Sequence, residues 1–137
     1  MSHAKTRGAH HVGLTVPSLN DARDFFLDAL GFEQVGERAD YPAVFLSDGS
    51  IMITLWQAED PATATPFDRR NTIGLHHLAL SVGSRDALQA LARELGTRDD
   101  VAIEFEPEAL GATGLRHMMC RIPGGIRLEL VAVRGDQ

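Results

Sequence analysis

Hydrophobic spacing changes several times along the first half of the chain. In residues 10–16 apolar side chains alternate with polar or small ones, as in a strand with one buried face. A helical pattern of apolar residues begins after Ser18, and Gly31 marks its end. Three short strands are then predicted at about 33–38, 43–47 and 50–57. This half of the chain is therefore predicted to have the order β-α-β-β-β.

The second half shows the same succession of patterns. Residues 76–82 have strand spacing, Ser84 is a helix N-cap, and a helical pattern follows as far as Gly96. Further strands are predicted at about 101–105, 115–121 and 126–133. Residues 106–114 are interpreted as a loop that has no counterpart in the first half.

A sequence repeat connects the two halves. Residues 10–16 (HHVGLTV) recur as residues 76–82 (HHLALSV), and residues 49–55 (GSIMITL) recur as 124–130 (GGIRLEL). Self-similarity at a long fixed offset is typical of duplicated supersecondary units.

The repeat predicts an α+β fold of two tandem βαβββ modules. Module 1 spans about 9–57, a linker spans 58–74, and module 2 spans about 75–134, all within one domain of residues 1–137. Because neither sheet can bury a face alone, we expect the two sheets to curl around a shared cleft.

Composition narrows the possible partners. The formal net charge is −6, the longest basic run is Arg69-Arg70, and no apolar run approaches the ~20 residues that a membrane span needs. Nucleic acid and membrane are therefore not expected as partners. The absence of a signal peptide and the single cysteine, Cys120, predict a cytoplasmic protein.

Superposing the two modules makes four positions equivalent: His11 and His77 on the first strands, and Thr54 and Glu129 on the last strands. Histidine and glutamate are costly to bury without partners. Two imidazoles and one carboxylate form a set that binds a divalent metal and leaves coordination positions open. We therefore predict that the cleft binds a metal at His11, His77 and Glu129, with a structural ion pair as the alternative.

Alternation assigns other side chains to the same face. His117, Met119 and Arg121 share the face of Glu129 if the intervening turn keeps register, and His117 is the acid–base candidate. The predicted substrate pocket contains Thr54, Trp56, Met119 and Arg121. Arg121 and Arg127 are candidates to clamp an anion. His10 and His76 are expected on the opposite face, Cys120 in inert packing, and Glu104, Glu106 and Glu108 in a solvated acidic edge.

Three segments resemble the vicinal oxygen chelate superfamily, which includes glyoxalase I, extradiol dioxygenases and bleomycin-binding proteins: residues 11–16, residues 25–32, and residues 123–130 (PGGIRLEL). The resemblance implies a single glyoxalase/dioxygenase-like domain with metal ligands at His11, His77 and Glu129. It also implies a homodimer with intersubunit metal sites.

The resemblance implies an enzyme that uses iron, manganese, nickel or zinc to bind a small substrate through neighbouring oxygen atoms. Dioxygenase-like chemistry is expected first and lyase or isomerase chemistry second. Thr54 replaces the glutamate or glutamine of glyoxalase and epimerase, and Met119 replaces the extradiol tyrosine. The alternative is a metal-free protein that sequesters a drug or metabolite.

Overall fold

The computed structural model describes residues 3–133, which form two compact units divided between Ala64 and Thr65. Each unit contains one helix and one four-stranded sheet in the order β-α-β-β-β. The predicted α+β class and the tandem βαβββ architecture are therefore confirmed. In the described residues no helix is long and apolar enough to cross a membrane.

The first unit has five elements in chain order. They are β1 (His11–Val16), α1 (Leu19–Leu30), β2 (Glu33–Arg38), β3 (Ala43–Ser47) and β4 (Met52–Gln57). The strand order is β1-β4-β3-β2, with β1 parallel to β4 and the other neighbours antiparallel. This order brings the first and last strands of the module side by side.

The second unit repeats that topology. Its elements are β5 (Leu78–Val82), α2 (Arg85–Leu95), β6 (Ala102–Ala109), β7 (Arg116–Arg121) and β8 (Arg127–Ala132). The strand order is β5-β8-β7-β6, again with the first and last strands parallel. The position of Glu129 in β8 therefore corresponds to that of Thr54 in β4.

Both helices are capped as predicted at their N-termini. The hydroxyls of Ser18 and Ser84 accept hydrogen bonds from backbone amides three residues ahead. The C-termini differ. Gly31 has a φ of 76°, in the left-handed region, whereas Gly96 has a φ of −65° and keeps the right-handed helical conformation.

Alternation along the first strand of each unit separates a buried face from an open one. In β1 Leu14 and Val16 are buried, whereas His11, Gly13 and Thr15 are exposed. The same contrast holds in β5, where Leu78 and Leu80 are buried and Ala79 and Ser81 are exposed. The helix of each unit packs on the apolar side. The exposed side of β1 therefore carries His11, and the exposed side of β5 carries Ala79 and Ser81.

Two predicted boundaries in the second unit were wrong. Strand β6 continues to Ala109, so four of the nine residues of the predicted loop 106–114 belong to the strand, and Glu108 and Ala109 pair with β7 after an irregular, bulged register. Strand β5 begins at Leu78, and His76 and His77 precede it. Strand alternation therefore does not govern the direction of the His76 side chain.

Cys120 is fully buried in β7, on the side away from Glu129. Burial raises the pKa of its thiol to about 12, and the negative charge of Glu104 adds to this effect. The side chain is therefore a neutral packing group at physiological pH, in agreement with the sequence interpretation.

Candidate functional site

The second unit places two histidines around one buried carboxylate. Glu129 is 8% exposed and lies in the middle of β8. Its Oε1 atom is 3.1 Å from Nε2 of His77, and its Oε2 atom is 2.6 Å from Nδ1 of His117. We call these three residues the Glu129 cluster. Because each oxygen of the carboxylate has a histidine partner, the orientation of the Glu129 side chain is fixed from two sides.

The strand register explains the cluster. Across the β7–β8 ladder Met119 lies opposite Glu129 and His117 lies opposite Val131, so His117 is the diagonal neighbour of Glu129. On the other side of β8, Ala79 lies beside Glu129. The predicted face-sharing of residues 117, 119 and 121 with residue 129 therefore agrees with the pairing.

A second histidine, His76, contacts His77. The Nδ1 atoms of His76 and His77 are 2.8 Å apart, and Nδ1 of His76 lies 3.4 Å from Nη1 of Arg127. Desolvation, followed by the charge of Arg127, lowers the pKa of His76. The expectation that His76 faces the opposite side of the sheet is therefore wrong, because Arg127 belongs to the face of Glu129.

The donor atoms of the cluster allow a test of metal binding. Two ligands of one divalent ion, each ~2.1 Å from it, lie roughly 3.0–3.4 Å apart. The 3.1 Å separation of His77 Nε2 and Glu129 Oε1 fits this spacing. The 2.6 Å separation of His117 and Glu129 is shorter and fits a hydrogen bond.

The third predicted ligand, His11, belongs to the first unit. There it is exposed, lies beside Met52 in the β1–β4 pair, and has its Nδ1 atom 2.9 Å from Nδ1 of His10. Over residues 3–133 no group of three or more His, Cys, Asp or Glu side chains is arranged to hold a metal ion. Within a single unit the structure brings together two of the three predicted ligands, His77 and Glu129.

The position equivalent to Glu129 in the first unit has a different role. Thr54 is 4% exposed, and its Oγ1 atom accepts a hydrogen bond of 2.9 Å from Nε1 of Trp56. A Cβ atom at Gly13 would lie only 3.1 Å from that hydroxyl, so glycine leaves the space that the pair needs. Tyr41 packs on Trp56 with ring centroids 4.7 Å apart. The predicted pocket residues Thr54 and Trp56 are thus in direct contact.

An ion pair near the cluster involves one residue of the predicted acidic edge. Glu104 accepts hydrogen bonds from Nε and Nη2 of Arg127 at 3.0 and 3.1 Å, and Nη1 of Arg69 lies 3.5 Å away. The hydrogen bonds from Arg127 lower the pKa of Glu104. Glu104, Glu106 and Glu108 are all exposed, as predicted, but the ion pair of Glu104 was not predicted.

Two contributors to this region were missed from the sequence. Arg69 lies in the linker, where no periodicity predicts a contact, and the pairing of Glu104 with arginines was not predicted. For Arg121 and Arg127 the sequence did contain a signal. They flank the predicted turn at equal distance and therefore lie opposite each other.

Known proteins are similar to this chain in sequence and in fold. A sequence model of the Glyoxalase/Bleomycin resistance protein/Dioxygenase superfamily matches residues 8–130. YwkD of Bacillus subtilis is 29% identical over 130 residues, which cover 90% of this chain and 95% of the relative. A 2-epi-5-epi-valiolone epimerase from an Actinomyces species is 27% identical over 144 residues, covering 89% of this chain and 77% of the enzyme.

A solved structure gives the same picture of the fold. The glyoxylase/bleomycin resistance protein/dioxygenase domain from a Frankia species superposes with a TM-score of 0.81 at 25% identity. The superposition covers 95% of this chain and 100% of that domain. The similarity therefore extends over both units of the chain described here.

Proposed function

Because this chain belongs to the Glyoxalase/Bleomycin resistance protein/Dioxygenase superfamily, we propose that it is a divalent-metal-dependent enzyme that moves a proton on a small substrate. The substrate would carry two neighbouring oxygen atoms. The observation that supports this proposal is the Glu129 cluster. Two atoms that can ligate a metal, Nε2 of His77 and Oε1 of Glu129, lie close together, and His117 is hydrogen-bonded to the same carboxylate.

His77 and Glu129 would hold the ion, with His11 as the third ligand. The imidazole and carboxylate donors suit iron, manganese, nickel or zinc. Such an ion, when bound, polarises a substrate carbonyl and stabilises the negative charge of an enolate. In the homodimer that we propose, His11 comes from one subunit, and His77 and Glu129 come from the other.

His117 would carry the proton. The carboxylate of Glu129 accepts a hydrogen bond from Nδ1 of His117, which leaves Nε2 as the unprotonated nitrogen of the neutral ring. The ring of Phe105 packs against the imidazole with centroids 4.9 Å apart and limits its rotation. A ring oriented from two sides can take a proton from a carbon next to a carbonyl and return it to that carbon.

Proton transfer is supported over oxygen-dependent cleavage by two observations. The residue opposite Glu129 in β7 is Met119, whose thioether has no acidic or exchangeable proton. His117, two residues before Met119 in the same strand, can serve as a base. A relative that aligns with 89% of this chain is a 2-epi-5-epi-valiolone epimerase. The predicted order of reactions, with dioxygenase chemistry first, is therefore reversed in our proposal.

A metal-free binding protein is the second candidate, and hydrogen bonding favours it. Both oxygens of Glu129 already have histidine partners, and the hydroxyl of Thr54 already accepts from Trp56. The polar groups on these strand faces are therefore satisfied without an ion. Such a protein would bind a drug or metabolite without changing it.

Metal titration followed by isotope exchange separates these candidates. Protein purified without a histidine tag would be titrated calorimetrically with manganese, nickel and zinc, and anaerobically with ferrous iron. The loaded protein would then be incubated with dihydroxyacetone in D₂O and followed by proton NMR. We expect one ion per site and loss of the carbon-bound proton signal. An oxygen electrode tests the dioxygenase alternative, and no binding of any of the four ions favours the binding protein.

A further inference from the structure

The second unit contains a cavity of about 610 Å³ that is lined by three arginines. Arg121 lies at the end of β7, Arg127 lies at the start of β8, and Arg69 belongs to the segment before β5. We call this space the arginine cavity. Glu104 and Asp68 are its acidic lining residues.

The arrangement of the arginines is unfavourable without a negative partner. Arg121 and Arg127 lie directly opposite each other in the β7–β8 ladder, where like charges destabilise a sheet. Arg127 is also 6% exposed, so water screens its charge poorly. The guanidinium of Arg69 lines the same cavity and adds a third positive charge.

The carboxylates only partly neutralise this charge. Glu104 is hydrogen-bonded to Nε and Nη2 of Arg127. Asp68 uses its Oδ1 atom to accept a hydrogen bond from the backbone of Arg70 at 2.9 Å. Three arginines and two acidic residues give the lining a formal charge of +1, in a chain whose net charge is −6. The cavity therefore attracts anions although the whole protein repels them.

We propose that the arginine cavity binds an oxyanion of the substrate, either a carboxylate or a phosphate. Planar guanidinium groups match both of these anions and bind them through paired N–H donors. Arg121 is exposed and Arg69 is partly exposed, so both can turn toward an arriving ligand. Glu104 would then compete with the ligand for the same arginines.

The position of the cavity defines the shape of the substrate. Arg127 and Glu129 lie on one face of β8, two residues apart, which corresponds to ~6.6 Å along a strand. A ligand that contacts both would therefore carry its oxyanion only a few bonds from the oxygens near Glu129. This inference rests on the proposed function only in making the anion part of the substrate, and anion binding by itself does not depend on metal.

Calorimetric titration with inorganic phosphate and with sodium acetate tests the proposal, at constant ionic strength set with chloride. We expect at least one of these anions to bind with one site per chain. Arg121→Gln should weaken the binding about tenfold, as expected for one charge-assisted hydrogen bond. Arg69→Gln should also weaken the binding, and Arg23→Gln is its matched control, because the side chain of Arg23 is 32% exposed, compared with 33% for Arg69, and lies on α1 beside Asp24.

Glu104→Gln provides the opposite test. It keeps a hydrogen-bond acceptor for Arg127 but removes the competing charge, so anion affinity should rise severalfold. Binding of phosphate alone assigns a phosphorylated ligand, and binding of acetate alone assigns a carboxylate. Two outcomes overturn the proposal: no binding of either anion, or affinities that Arg121→Gln and Arg69→Gln leave unchanged. Anion binding in a protein that binds no metal would refute the proposed function alone.

Discussion

His117 and Glu129 are linked by a contact of 2.6 Å between Nδ1 and Oε2, across the antiparallel pair of β7 and β8. The glutamate side chain has little freedom to rotate, because its other oxygen is 3.1 Å from Nε2 of His77. A carboxylate that is oriented from both sides can keep one donor position ready for an ion while it orients a base.

Glu129→Ala and His77→Ala should each lower divalent-metal affinity by more than about 100-fold, since loss of an outer partner alone costs 10–100-fold. Glu129→Ala should also lower the free energy of unfolding by about 1–3 kcal/mol, because His117 loses its buried partner. Calorimetry with manganese or zinc and urea unfolding measure both effects. Glu33→Ala, an exposed glutamate of β2, is the control. A Glu129→Ala protein with unchanged metal affinity would show that the ligand prediction is wrong.

Two substitutions of His117 should separate orientation from proton transfer. Asn places an amide N–H near the position of Nδ1 and can still donate to Glu129, whereas Ala cannot. We therefore expect near wild-type metal affinity in His117→Asn and a loss of about 10–100-fold in His117→Ala. Both should lose about 10²–10⁴-fold in the rate of deuterium exchange. Full exchange activity in His117→Asn would exclude this histidine as the base.

Thr54→Val should disturb the indole of Trp56, which is the only tryptophan in the chain. Valine fills the same volume but removes the acceptor for Nε1 of Trp56. The free energy of unfolding should therefore fall by about 1–3 kcal/mol. The fluorescence emission of the native protein should shift to shorter wavelength as the indole loses its hydrogen bond. Thr72→Val, at an exposed position, should change neither quantity. An unaltered spectrum in Thr54→Val would contradict the contact.

Inactive variants should complement each other if the metal site is shared between subunits. His11→Ala and Glu129→Ala protein would be mixed, unfolded and refolded together. Half of the dimers would be mixed, each with one intact site, so metal binding should return to about a quarter of the wild-type level. Mass spectrometry of the intact dimers verifies the mixing. If mixed dimers form without any recovery, all ligands come from one chain.

The two helix-terminal glycines should respond differently to alanine. Gly31→Ala forces a β-carbon into a backbone conformation with a φ of 76° and should destabilise the protein by about 1 kcal/mol. Gly96→Ala has a φ of −65°, and its β-carbon would lie 3.3 Å from the carbonyl oxygen of Ala92, so its effect should be smaller. Urea unfolding of the two variants makes the comparison. Equal losses would show that the left-handed conformation of Gly31 is not what makes it necessary.

Hydrophobic periodicity determined most of the fold. The strands at 33–38 and 43–47 coincide with β2 and β3, and both serine caps lie where the pattern places them. Strand spacing also separated the face of Glu129 from the face of Cys120. These features depend on neighbours within a few residues, because side-chain direction in a strand alternates with a period of two.

Boundaries that depend on pairing were less predictable. Strand β6 extends to Ala109 because β7 offers hydrogen-bond partners, although the local sequence contains a proline and three glutamates and was interpreted partly as a loop. The strand start at Leu78 likewise freed His76 to contact Arg127. A pattern within one segment carries no information on how far the neighbouring strand supports it.

From the sequence by itself, the repeat predicted that His77 and Glu129 share a face, and alternation added His117 if the turn before β8 keeps register. Only the tertiary structure decided which atoms meet: His117 with Oε2 of Glu129, and Glu104 with Arg127 and Arg69. These contacts join residues that lie 12 to 35 positions apart (117 to 129, and 69 to 104). Their partners are selected by strand register and by the free energy of satisfying buried charge, and both of these are properties of the packed chain.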